Sequence, residues 1–203
     1  MSCYNLYNKK PNVFFNFGKV CEPEIILNEI NNIYNDNEYF EKGTRSYGWE
    51  GIPLINRGGD NTRDGVLLKY NTSNALPNYE YKYTDFLKKS KILQNLITKI
   101  EAGLNSKCFF ARVLKLKKGG KIFEHTDGCL FNNIKYRLHI MLTNSSPLIY
   151  MFINNDRYIM KSGYLYNTNV AYNHSVINDS DYDRINIVMD FFASDILKKF
   201  TPS

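Results

Sequence analysis

Beyond residue 105 the chain breaks into short runs rich in β-branched and aromatic residues, and this pattern limits its fold more than any other feature. The runs are CFFARVLKLKK, KIFEH, KYRLHIML, LIYMFIN, RYIMK, YLYN and RINIVMDFF, punctuated by Gly119-Gly120, Asn155-Asp156 and Ser162-Gly163. About seven strands in roughly 90 residues, with hairpin signals between them, indicate a sandwich or barrel.

Two helical segments precede these strands and are expected to cover one sheet. Pro23 suits a first helical position, and Ile26, Ile30 and Ile33 follow at the spacing of one helical face. From Asp85 to Leu104 the apolar positions Phe86, Leu93, Leu96, Ile97, Ile100 and Leu104 recur at helical spacing with lysines opposite, predicting one helix started by Thr84-Asp85 and ended by Gly103. Residues 1–20 read as an edge strand or ordered arm, and VLLKY, ending at Tyr70, as a strand. The glycine-rich stretch 35–65 reads as a long loop; it holds the only tryptophan, Trp49, which by itself reads as a core plug. At 203 residues, with no repeat or linker, the chain is expected to form a single mainly β domain: a helical and loop-rich part over 1–105 and a β core over 106–195.

The net charge of +6 is spread along the chain rather than blocked, so it reads as a solvated basic surface, and no nucleic-acid motif accompanies it. Cys3, Cys21, Cys108 and Cys129 form no C-x-x-C pair and read as reduced thiols of a cytoplasmic protein. The N-terminus lacks the apolar run of a signal peptide, and no apolar stretch approaches membrane-spanning length.

The polar residues of the β core are unusual. His125 and Asp127 are two apart, so on an extended segment both point to one face and offer neighbouring positions of an octahedral metal. The tripeptide carries little information alone. With His174 from a distant strand it makes two imidazoles and a carboxylate, the set that leaves open positions on non-heme Fe(II).

In the last run Ile185, Ile187, Met189 and Phe191 alternate with Arg184, Asn186, Val188 and Asp190. If the apolar face meets the helices, Arg184 points inward, where its guanidinium needs an anion. A protein carboxylate or a bound dicarboxylate would serve; the place of Arg184 ten residues after His174, on what would be the adjoining strand, favours the dicarboxylate. Arg137 and His139 repeat the pattern, and a histidine so placed reads as a hydrogen-bonded core residue rather than a metal ligand.

The block from Arg112 to Asp190 resembles the aspartyl/asparaginyl β-hydroxylase family of Fe(II)- and 2-oxoglutarate-dependent dioxygenases. The matching features, in order, are Gly119, His125, Arg137 with His139, Gly163 to Asn167, His174 and Arg184. The resemblance implies a double-stranded β-helix of the jelly-roll, cupin-like kind, with Fe(II) on His125, Asp127 and His174. It implies that 2-oxoglutarate chelates the metal, that Arg184 binds its distal carboxylate with Arg137 and His139 as further donors, and that dioxygen takes the remaining site. Trp49, followed by Gly51-Ile52-Pro53-Leu54, is similar to a family segment whose tryptophan contributes to the cosubstrate pocket. Some members lack a carboxylate at position 127, so Asp127 is implied as a third ligand or as an acceptor beside the ligands. A serine that helps hold 2-oxoglutarate in some members aligns with Leu114, so that contact is absent or replaced.

The implied reaction is hydroxylation of an amino-acid or peptidyl side chain, with 2-oxoglutarate converted to succinate. Hydroxylation of Asp or Asn in a protein substrate, or a non-catalytic metal- or ligand-binding β-barrel, stands as the alternative.

Overall fold

Among the described residues the strands assemble into one 11-stranded sheet that nearly closes into a barrel. The structure, a computed structural model, describes residues 13–33, 41–42, 46–59, 61, 81–127 and 135–199; the expected strand VLLKY, Cys3 and Cys129 lie outside the described residues. The strands are β1 (Phe14–Lys19), β2 (Glu41–Lys42), β3 (Ser46–Arg57), β4 (Tyr81–Tyr83), β5 (Cys108–His125), β6 (Lys135–Met141), β7 (Ile149–Ile153), β8 (Asp156–Tyr158), β9 (Tyr164–Thr168), β10 (His174–Asn178) and β11 (Arg184–Phe192). The helices are α1 (Pro23–Ile33), α2 (Asp85–Lys89), α3 (Lys91–Leu104) and α4 (Asp195–Lys198). The order across the sheet is β1-β9-β6-β11-β5-β10-β7-β8, with β3 along β5 and carrying β2 and β4. Among the described residues no helix is long and apolar enough to cross a membrane.

The organising strand is β5. Its first part, Cys108 to Leu116, pairs with β11, and its last part, Lys121 to His125, pairs with β10. The sequence reads Gly119-Gly120 as a turn between two strands; instead the strand runs on through it and changes partner there. Gly119 adopts φ +70°, and a Cβ on Gly120 would lie 2.6 Å from the Lys117 carbonyl oxygen, so backbone packs where any other side chain would begin. Along the other edge of β5 runs β3, with Trp49 opposite Leu116. Within the stretch expected as a loop, 41–42 and 46–57 are therefore strand. Gly48 sits at the register shift between Tyr47 and Trp49, with φ +74°.

Alternation along the strands separates two apolar cores. Ile187, Met189 and Phe191 of β11, with Val113, Leu138 and Ile140, pack against Ile26, Ile30, Leu93, Ile97, Ile100 and Leu104 of the helices. Val188, with Trp49, Leu114, Leu116, Met151, Ile153, Tyr166 and Val176, fills the interior. The helices cover one face, as the sequence implies, and each fully buried aliphatic side chain there contributes about 2 kcal/mol.

The single helix expected over 85–104 is two. Ser90 is extended, with φ −101° and ψ 100°; it ends α2, and its hydroxyl accepts from Leu93 N to start α3. The same hydroxyl donates to Glu29 Oε1 of α1 at 2.8 Å. A serine that caps one helix and ties it to another outcompetes continuation of the helix. The chain leaves α3 through Asn105 in the left-handed region rather than at Gly103.

Candidate metal centre and anion pocket

His125 ends β5 and His174 begins β10, and the two are direct partners across that ladder. Their ring centroids lie 4.2 Å apart. Each ring is turned by the same device: Nδ1 of His125 meets the Phe123 carbonyl at 2.7 Å, and Nδ1 of His174 meets the Tyr172 carbonyl at 3.0 Å. A carbonyl only accepts, so each Nδ1 carries the proton and each Nε2 keeps its lone pair.

Asp127 lies just past the end of β5, where its backbone N–H donates to the Val170 carbonyl at 3.1 Å. Its Oδ1 is 3.5 Å from Nε2 of His125, and its Oδ2 is 3.8 Å from Nε2 of His174. Ligand atoms of the three residues all lie within 4.8 Å of one another. The structure thus brings together the three residues that the H-x-D pattern and the distant histidine nominate.

Electrostatics suit this convergence. Burial lowers the pKa of His174 to about 4 against the pull of Asp127, so its ring is neutral at physiological pH. Burial alone would raise the Asp127 carboxyl, but Arg137, His174, His125 and Arg112 outweigh it and hold it below the usual carboxylate range.

Arg137 is tied to two carboxylates of the protein itself. Its Nε and Nη2 each lie 2.7 Å from an oxygen of Asp190, its cross-strand partner on β11, and its Nη1 donates to Oδ2 of Asp127. The fork grips two protein carboxylates, and through Nη1 it orients Asp127. Sequence alternation put Asp190 on the inward face without indicating this pairing.

Arg184 is buried, 2 % exposed, and has no carboxylate partner among the described residues; its Nη1 donates to Oδ1 of Asn186 at 2.5 Å. Burial lowers the guanidinium to about 10. His139 is also buried: Nδ1 lies 3.2 Å from Nδ2 of Asn186, and Nε2 has no partner among the described residues. Burial first, then the charges of Arg184, Arg137, His174 and Arg112, push its pKa well below 6.5. The strands carrying His174 and Arg184 are not paired with each other, as the adjoining-strand expectation required; both lie along β5.

Trp49 is buried in the interior cluster, opposite Leu116, and Leu116 is in turn opposite Arg184. The Arg112 guanidinium lies 5.6 Å from the Trp49 ring centroid and 5.1 Å from that of Phe110. Arg112 and Asn186 are inward-facing polar residues to which the sequence reading gave no role; alternation with Leu114 and Val188 was the available signal.

Solved structures with the same fold define the class. An oxidoreductase of the 2OG-Fe(II) oxygenase family from Burkholderia pseudomallei is similar at 12% identity over 82% of this chain and 78% of that one, with a TM-score of 0.54. HygX from Streptomyces hygroscopicus, solved with nickel, 2-oxoglutarate and hygromycin B, is 11% identical over 96% of this chain and 88% of its own, with a TM-score of 0.53. The non-heme alpha ketoglutarate dependent epimerase SnoN from nogalamycin biosynthesis is 12% identical over 90% and 78%, with a TM-score of 0.58. The protein is therefore a double-stranded β-helix protein of the jelly-roll class that includes the 2-oxoglutarate oxygenases. A profile of the aspartyl/asparaginyl beta-hydroxylase family matches residues 22–194, and the chain belongs to that family. Comparison with curated proteins finds no match.

Proposed function

We propose that the protein is an Fe(II)- and 2-oxoglutarate-dependent dioxygenase that hydroxylates the side chain of an amino acid or peptide. The observation that carries this reading is a metal-type donor set in the same interior as a buried guanidinium that lacks a carboxylate. His125, Asp127 and His174 bring their ligand atoms within 4.8 Å, while Arg184 and the orphaned Nε2 of His139 offer buried donors with no protein anion to receive them. Two imidazoles and one carboxylate suit Fe(II) and leave positions open.

His125 and His174 would hold the iron through Nε2, and Asp127 through the oxygen that Arg137 does not grip. Arg184 would bind the distal carboxylate of 2-oxoglutarate, with His139 as a further donor and Trp49 in the wall. When bound, iron and 2-oxoglutarate supply the oxidising chemistry: with dioxygen the cosubstrate becomes succinate and carbon dioxide, and one oxygen atom enters a substrate C–H bond. The chain's own residues prepare the site. The Phe123 and Tyr172 carbonyls fix both ring tautomers, Arg137 keeps Asp127 ionised and aimed, and the Asp190 pair holds Arg137 in place. A cytoplasmic location fits the free thiols of Cys21 and Cys108.

Anaerobic addition of Fe(II) and 2-oxoglutarate to the metal-free protein is expected to give the visible charge-transfer band of the chelate. That band is expected to vanish in His174→Ala; its persistence would refute the ligand assignment. Succinate release should rise with at least one member of a panel of free amino acids and short peptides, and a flat response across the panel would overturn the substrate class.

A further inference from the structure

Asn186 sits in the middle of β11, between Leu114 of β5 and Met141 of β6, and its side chain is fully buried. A primary amide in such apolar company is destabilising unless both halves find partners. Both do: Oδ1 accepts from Nη1 of Arg184 at 2.5 Å, and Nδ2 lies 3.2 Å from Nδ1 of His139.

The direction of this chain of bonds follows from the donor inventory. A guanidinium has no acceptor, so the amide oxygen must face Arg184 and the amide NH2 must face His139. A ring nitrogen that meets an NH2 must accept, so the proton of neutral His139 resides on Nε2, the buried atom without a partner. One amide therefore sets two donors, each one hydrogen bond away from it. Its neighbour across the β5 ladder is Leu114, which offers no polar group.

We propose that Asn186 is a positioning residue that holds His139 as the Nε2–H tautomer and anchors the Arg184 fork, so that the two act as a donor pair for one carboxylate of 2-oxoglutarate. This rests on the proposed cosubstrate, but its first test does not involve one.

In the metal-free protein labelled with 15N-histidine, His139 should show a protonated Nε2 and an unprotonated, accepting Nδ1. The opposite assignment in the native chain overturns the proposal without any variant. Asn186→Asp keeps the size and still accepts from Arg184 but cannot donate to Nδ1, so the His139 proton should move to Nδ1. Its carboxylate also neutralises Arg184, so the Kd for 2-oxoglutarate, read from the chelate band, should rise about tenfold or more with Fe(II) affinity unchanged. A tautomer and a Kd both unchanged in that variant would overturn the proposal, as would loss of Fe(II) and 2-oxoglutarate affinity in equal measure. Should Asn186→Asp lose its cooperative melting transition, Asn186→Leu is read by the same two measurements. A native chain that shows the Nε2–H tautomer but no chelate band would leave the tautomer assignment standing and refute the cosubstrate reading.

Discussion

At the scale of single residues, the buried histidines make the protein sensitive to acid. The unfolded chain titrates its histidines near 6.5, whereas folded His139 titrates well below that value and His174 near 4. As pH falls through 6.5 the unfolded chain takes up protons that the folded chain refuses, so stability is complete above 6.5 and declines below it. In the metal-free protein the urea midpoint should therefore fall between about pH 7.5 and pH 5, ahead of carboxylate titration. His139→Gln should show a shallower decline, and an identical slope would remove His139 from the account. Asp190 makes the complementary case. It is fully buried against Arg137, so Asp190→Ala removes the carboxylate that Nε and Nη2 of Arg137 share in the interior and should destabilise by about 3 kcal/mol.

At the scale of elements, the geometry of the site depends on how β5 turns its corner. His125 can face His174 only because the strand leaves β11 at Leu116 and joins β10 at Lys121, and Gly120 is where the backbone closes on itself. Gly120→Ala would drive a Cβ to 2.6 Å from the Lys117 carbonyl and 2.8 Å from the Leu116 side chain. It should destabilise by about 1–3 kcal/mol. It should also weaken Fe(II) binding, titrated anaerobically, because the corner must shift; unchanged affinity would show that the corner does not position His125. The Ser90 break between α2 and α3 acts far from the site. Ser90→Ala removes a cap and the bond to Glu29, and should cost about 1 kcal/mol in urea unfolding while leaving metal affinity unchanged.

At the scale of the whole molecule, the strands that carry His125 and His174 belong to one nearly closed sheet, so an ion bound between them would staple β5 to β10 and stabilise the entire fold. A divalent ion at 100 times its Kd should add about 2.7 kcal/mol and raise Tm in the native chain, and His174→Ala should lose this gain. Much of this architecture was legible in the sequence because it follows from local periodicity. Period-two alternation in RINIVMDFF sends Ile187 and Met189 to the helices and Arg184 and Asp190 inward, and helical spacing marks the buried stripe of α3. The pairing of His125 with His174 was legible only in kind: residue type nominated both, but nothing local says that strands this far apart are neighbours. Gly119-Gly120 misled because a glycine pair permits a hairpin turn and a strand corner equally, and only the partners on either side decide between them. The loop reading of the Trp49 segment failed for the same reason, since β3 is extended by its long ladder with β5 rather than by its own propensity. The sequence by itself determined the alternation of faces, the covering helices and the chemical inventory of the interior. Tertiary structure alone decided which charges meet: that Arg137 is held by Asp190 and Asp127, while Arg184 meets the amide of Asn186 and no carboxylate among the described residues. Alternation states which way a side chain points, but its partner depends on register across strands far apart in the chain, and that is fixed only when the sheet closes.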